Sequence, residues 1–338
     1  MSILESANDW APVKIDALGI ITLLGADSLR QSVSRLVPNG FAEYLPLLAA
    51  QIFADNTIAD SIPGFALYNI TDGVLATDLS AWWTRWLLCQ KLNWNTTTLH
   101  VNALTQPRPL FTIGSAIMLC MNVAIDAALI VIPVLLGDWY GFATSVALVV
   151  TVVMRAYILF SLRRSLDYLI SVADEQDKDL VVLFLTLPNG RAVTVFTTRG
   201  ITTNVLLTNP RPRNHNIHLF FRAINWLAFG VLVVCLGSAC LCTQITVVVT
   251  ILVSTTVVVC RLGCDEDHVG HRLEIVKINP DGDDTRSNAY MRLNLSEGQE
   301  EAMINYHLLP MKFNGFWWDR YRARQAAYSE GDQTPAND

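Results

Sequence analysis

Four runs of about twenty or more mostly apolar residues constrain this chain more than anything else in it. A helix needs about 20 such residues to cross about 30 Å of hydrocarbon. The runs extend from Phe111 to Leu136, from Tyr140 to Phe160, from Leu219 to Cys240 and from Thr243 to Leu262. Only Gly137, Asp138 and Trp139 separate the first two, and only a step near Cys242, Thr243 and Gln244 separates the last two. Connections that short force antiparallel neighbours. Read as one helix, the last pair would far exceed a bilayer, so Gln244 marks a turn. The expected fold class is therefore a membrane α-helical protein with four transmembrane helices in two antiparallel hairpins. Composition agrees: of 338 residues 52% are hydrophobic and only 16% charged, too apolar for an ordinary soluble domain.

Orientation follows from the Lys and Arg residues near the helix ends. The two short turns carry none. Arg108 precedes the first helix, Arg163 and Arg164 open the long loop, Arg211 and Arg213 close it, and Arg261 ends the fourth helix. Both termini and the long loop are expected in the cytoplasm, as a multi-pass protein. The segment Met1 to Trp10 carries Glu5 and Asp9 without a basic start or apolar run, so no cleavable signal peptide is expected and the first spanning helix directs insertion. Asn69, Asn95 and Asn294 match the glycosylation acceptor pattern but never reach the lumen on this topology.

The lipid bilayer is one expected partner. A net charge of -6 without clustered Lys and Arg excludes nucleic acid as another. Five of the seven cysteines lie in or beside apolar runs, which argues against a disulfide framework. No cofactor is expected, and no signal specifies an oligomeric state.

Five segments follow. Residues 1–110 form a cytoplasmic amphipathic region, 111–160 the first membrane hairpin, 161–216 a cytoplasmic loop, 217–262 the second hairpin and 263–338 a cytoplasmic tail. In the first segment the apolar stretches Ile15 to Leu24 and Tyr44 to Phe53 are too short to span. Asp78 to Trp94 reads as an amphipathic helix capped by Asp78, with Leu79, Trp82, Trp83, Trp86 and Leu87 on one side. That face either packs on the rest of the protein or lies in the membrane interface.

In the loop, Leu180 to Leu187 and Arg191 to Thr197 flank Pro188, Asn189 and Gly190, where Pro presets φ and Gly accepts the left-handed conformation. This is a hairpin. A lone hairpin is marginal in water, so further strands are expected from Ile201 to Thr208 and, in the tail, from His271 to Ile278 and Tyr290 to Leu295. Loop and tail together are expected to build one small cytoplasmic β-sheet, through which protein partners would bind. The Asp-rich turn Asn279 to Asp284 lacks the ligand alternation and terminal Glu of an EF-hand loop.

The run Gly137-Asp-Trp-Tyr-Gly-Phe-Ala with Arg155, then Leu187-Pro-Asn-Gly-Arg-Ala-Val-Thr, then Asn204-Val-Leu-Leu-Thr-Asn-Pro-Arg-Pro, resembles uncharacterised multi-pass membrane proteins of filamentous fungi. The resemblance covers about residues 110–262. It implies the same architecture and supplies no catalytic residue.

Polar groups in hydrocarbon are expensive, which singles out Asp126, Asn122, Arg155 and Asn225. Arg155 lies nearer the cytoplasmic end of its helix, where its side chain could snorkel to the headgroups. In an antiparallel hairpin Asp126 and Arg155 are offset by about 10 Å along the normal, which argues against a direct bridge. Asp126 acts either as polar glue between helices or in a proton or solute pathway. Past the fourth helix, Cys260, Cys264, His268 and His271 offer a metal site, palmitoylation of the juxtamembrane cysteines, or a plain polar boundary. Phe313, Phe316, Trp317, Trp318, Arg320, Tyr321, Arg322 and Arg324 suit either the anionic leaflet or packing on the sheet.

No nucleophile elbow, Walker loop, dinucleotide fingerprint, kinase signature or H-E-x-x-H helix occurs, so enzyme is the least supported class. The leading expectation is a non-enzymatic scaffold or interaction protein. The alternative is a subunit of a channel or transporter that uses intramembrane Asp126.

Overall fold

The computed structural model describes residues 26–40, 42–47, 49–108, 113–262, 264–280, 284–293 and 295–331. The stretch Ile15 to Leu24, the start of the first apolar run at Phe111, residues 281–283 of the Asp-rich turn and Asn294 lie outside the described residues. In chain order the elements are α1 (Ala26–Val33), α2 (Ala50–Ala54), β1 (Ala66–Asn69), β2 (Val74–Ala76), α3 (Ala81–Cys89), β3 (Thr97–Ala103), α4 (Ile113–Leu136) and α5 (Trp139–Gln176). They continue as β4 (Leu180–Thr186), β5 (Ala192–Thr198), α6 (His215–Leu236), α7 (Leu241–Val259), β6 (His268–Val269), β7 (Leu273–Ile278), α8 (Arg286–Arg292), α9 (Glu297–Asn305) and α10 (Gly315–Gly331).

Four of these helices, α4, α5, α6 and α7, are long and apolar enough to cross a membrane. They fall on the four apolar runs. The second does not stop where its apolar run stops at Phe160: it continues to Gln176, 38 residues in all, or about 57 Å at 1.5 Å per residue. Residues 161–176 are thus helix rather than loop, and Leu162, Leu166, Ile170 and Ala173 on this extension are buried against the sheet. Among the described residues the most extensive helix–helix contact joins α5 to α6, with Tyr157 and Phe221 ring centroids 4.1 Å apart.

Among the described residues seven strands form one sheet in the order β2-β1-β4-β5-β3-β7-β6. All neighbours are antiparallel except β3 and β5, which run parallel with Leu99 opposite Val195. The expected hairpin is present. Gly190 has φ 81°, its N–H donates to Leu187 at 3.0 Å, and the Leu187 N–H donates to Arg191 at 2.8 Å. Loop and tail do share a sheet, but its composition corrects the expectation: β1, β2 and β3 come from the N-terminal region, and β3 stands between the loop strand β5 and the tail strand β7. The signal for β3 was present, since Thr97, Leu99 and Val101 alternate with exposed or half-buried neighbours.

Two other expected strands are helical over part of their length instead. Ile201 to Thr208 lies in a helical stretch that passes from α-turn to π-turn, and Tyr290 to Leu295 begins inside α8. In α8 the Thr285 side chain accepts the Asn288 N–H at 3.4 Å, a cap that starts a helix where hydrophobicity alone allowed either period.

The sheet is covered on both faces by helices rather than by further strands. Val181, Leu183 and Leu185 of β4 join a core with α3 and the extension of α5. Val182 and Phe184, on the other face, pack with Tyr290, Met291, Trp318 and Tyr321 from α8 and α10. Period-two alternation sends adjacent residues of one strand into two different cores.

The Trp-rich helix packs inward. Trp82, Trp83 and Trp86 are at most 2% exposed, so this face belongs to the protein core. The helix begins after Ser80 rather than Asp78, because its first N–H groups find partners across the chain. Ser80 donates to the Leu206 carbonyl at 2.8 Å and Ala81 to Asn209 Oδ1 at 2.7 Å. Those bonds satisfy helix-start donors that a local cap would otherwise meet.

Candidate functional site

The polar residues in the long apolar helices separate into two kinds. Arg155 on α5 is buried, and its guanidinium donates to the backbone carbonyls of Glu43, at 2.8 Å, and Leu45. It therefore does not snorkel outward; it holds an N-terminal segment against the helix. Asn225 on α6 and Asn122 on α4 are fully buried, and Asp126 is half-buried. Both amide atoms of Asn225, one Asp126 carboxylate oxygen and the Ser145 hydroxyl are buried without a hydrogen-bond partner among the described residues. Asp126 and Arg155 form no ion pair within 4.0 Å, in keeping with their offset.

At the Arg155 end of α5 the chain is stapled by arginines. Arg163 pairs with Glu43 and donates to the carbonyls of Leu36 at 3.1 Å and Val37 at 3.0 Å. Arg35 pairs with Glu266 at 3.0 Å, and Arg261 reaches the same carboxylate at 3.2 Å. Trp86 Nε1 donates to the Glu266 carbonyl at 3.0 Å, while Arg261 also donates to the Cys89 carbonyl. Segment 34–47, the end of α7 and the start of the tail are thereby tied to one another. Each guanidinium satisfies several acceptors at once, the use to which its planar fork is suited.

The proposed Cys and His group does not converge. Helix α7 ends at Val259 and Arg261 takes the left-handed φ of 57°, so Cys260, Cys264 and His268 share no helical face. Cys260 is exposed. Cys264 lies beside Arg35, Sγ to Nη2 3.7 Å, and burial pushes its thiol up despite that cation, which works against the thiolate that metal or thiol chemistry needs. His268 has Nδ1 3.1 Å from Asp265 and Nε2 3.5 Å from Glu274. The backbone N–H of His271 donates to Asp167 at 2.8 Å, and a Cβ on neighbouring Gly270 would come within 2.7 Å of the same carboxylate. Among the described residues no three His, Cys, Asp or Glu side chains are placed to hold a metal ion.

The aromatic and basic tail cluster is divided in use. Trp318 and Tyr321 are buried in the core shared with Phe184, whereas Phe313 and Phe316 are 91% and 80% exposed. Arg320, Arg322 and Arg324 are exposed on the same helix. Sequence reasoning passed over Glu43 and Arg35 and took Glu266 only as one of three acidic residues among the Cys and His group, since nothing local marks partners this far away in the chain. Compared with protein-family models, with curated proteins and with solved structures, the chain matches none.

Proposed function

We propose that this chain is a multi-pass membrane protein whose four apolar helices cross the bilayer as two antiparallel hairpins, with the sheet and both termini in the cytoplasm. In this reading it works as a non-enzymatic interaction platform. The orientation is supported by the arginines near the inner ends of the helices and by their absence from the two short turns. The observation that carries the function is α10. Trp318 and Tyr321 anchor the helix on the sheet, so Phe316 is presented to solvent on a rigid support, with exposed Phe313 just before the helix and exposed Arg320, Arg322 and Arg324 along it. Exposed aromatic residues flanked by Arg are the composition of protein interface cores.

The test is purification of the intact chain from cells in mild detergent, beside a Phe313→Ala, Phe316→Ala variant. A set of proteins retained by the first and lost by the second supports the reading, and identical sets remove it. Topology is checked separately: tags at either terminus should be protease-accessible in cytoplasm-side-out vesicles, and glycan on Asn69 or Asn95 would reverse the orientation.

A second reading, a channel or transporter subunit, rests on the unpartnered polar atoms of Asn225, Asp126 and Ser145 inside the apolar helices. Reconstituted vesicles decide it. Solute flux abolished by Asp126→Asn supports it, and equal background flux in both proteins removes it.

A further inference from the structure

Where the extension of α5 leaves its apolar run, a cleft of about 1190 Å³ opens between that helix and the loop leading into α6. Three arginines line it, Arg164, Arg211 and Arg213, and none of the three is in an ion pair within 4.0 Å among the described residues. No Asp or Glu lines it there either. In a chain of net charge -6 such a pocket is a local inversion of the protein's own field. The loop is fixed rather than draped, because the Ser165 hydroxyl donates to the Arg211 carbonyl at 2.6 Å and Pro210 and Pro212 restrict φ on either side. Tyr157, Phe160 and Tyr168, all exposed, complete the wall.

Depth decides what could occupy it. Counted from Trp139, about twenty residues of α5 use up the hydrocarbon thickness, which ends near Phe160. The arginines follow directly, at the level of lipid headgroups, with Tyr157 and Phe160 on the acyl side and Tyr168 beyond them. We infer, on the strength of the spanning reading above, that this cleft binds the headgroup of a lipid phosphomonoester. A phosphomonoester carries close to two negative charges and three acceptor oxygens, and guanidinium forks match phosphate oxygens in pairs. Phosphatidylserine brings a competing ammonium, and a soluble phosphate gains nothing from the aromatic wall. The volume exceeds what a bare phosphate fills and leaves room for the glycerol and the first part of the chains.

The test uses the full chain in phosphatidylcholine nanodiscs, titrated with phosphatidic acid, phosphatidylserine and glycerol 3-phosphate and read by native mass spectrometry. Phosphatidic acid should bind about tenfold or more tightly than either of the others. Equal binding of phosphatidylserine overturns the headgroup class, and equal binding of glycerol 3-phosphate overturns the lipid source. Both readings come from the unaltered protein, so they stand even if a variant misfolds. The variant Arg164→Gln, Arg211→Gln, Arg213→Gln should lose the preference with its melting temperature unchanged, while Arg320→Gln, Arg322→Gln, Arg324→Gln should keep it. Equal loss in both variants would mean that general charge, not the cleft, attracts the lipid. Failure of the chain to enter neutral nanodiscs would instead count against the spanning reading itself.

Discussion

One carboxylate joins the two short turns between the long helices: Asp138 Oδ2 accepts the backbone N–H of Cys240 at 2.8 Å, while its Oδ1 accepts that of Gly141 at 2.9 Å. Asp138 thus caps α5 and at the same time holds the residue that precedes α7. The close fit explains the glycine beside it. A Cβ at Gly141 would fall 2.4 Å from Asp138 Oδ2 and 2.6 Å from Thr243 Cγ2. Replacing Asp138 by Ala should cost about 0.5–2 kcal/mol, as for other N-caps, and Gly141→Val should cost more because it displaces both turns. Thermal unfolding in detergent checks the order, and a Gly141→Val protein as stable as the wild type would show the contact to be slack.

Arg163 and Glu43 make a second prediction, since Arg163 is buried, Glu43 is largely so, and the arginine also serves the Leu36 and Val37 carbonyls. Removing one partner of a buried pair costs about 3–5 kcal/mol because the other charge is left without its counterpart. Glu43→Gln keeps hydrogen-bonding capacity and should be the milder change. Arg163→Met leaves a carboxylate and two carbonyls unmet and should be the more severe. Chemical denaturation that ranked them the other way would mean that the carbonyl bonds contribute little.

Sequence revealed what periodicity can carry. The four apolar helices, the turn at Pro188, Asn189 and Gly190, and the two-faced strand with Val182 and Phe184 opposite Leu183 and Leu185 were all legible, because each depends on residues a few positions apart. What depended on distant partners was not. Arg155 is bound by carbonyls more than a hundred positions away, and Ala81 is capped by Asn209 across 128 residues. The cleft arginines, Arg164, Arg211 and Arg213, were visible only as charge near helix ends, since the fold alone brings them around one space. Tyr290 to Leu295 misled because a short apolar run fits a strand or a buried helix equally well.

Asp284 sets a pH dependence. Its carboxylate accepts the backbone N–H groups of Trp94, of Asn95 at 2.7 Å and of Thr96 at 3.0 Å, fixing the chain just before β3. Burial works against the charge, but these hydrogen bonds outweigh it and hold the carboxyl below its usual range. The unfolded chain, with an ordinary Asp near about 3.9, then takes up the proton first as pH falls. The stabilisation is complete above about pH 4 and fades as pH drops through the folded value. Asp284→Asn should therefore be less stable than wild type at pH 6, with the gap closing toward pH 3. A gap constant over that range would place the effect in shape rather than charge.

The coupling of α8 and α10 to the sheet gives the last prediction. Phe184 is fully buried on the face of β4 away from α5, with its ring centroid 5.3 Å from that of Tyr290, and Tyr321 donates its hydroxyl to the Tyr290 carbonyl at 3.5 Å. Truncation to Phe184→Ala opens a cavity between sheet and tail and should cost about 3–5 kcal/mol. Leu183→Ala, one residue earlier, opens its cavity in the core shared with α3 and α5 instead, at about 2–5 kcal/mol. The two should differ in where protection is lost rather than in size. Hydrogen exchange is expected to rise in α8 and α10 for Phe184→Ala and in α3 for Leu183→Ala, because local opening follows the packing unit that is weakened. The same exchange pattern in both variants would mean that the two faces of the sheet open as one unit.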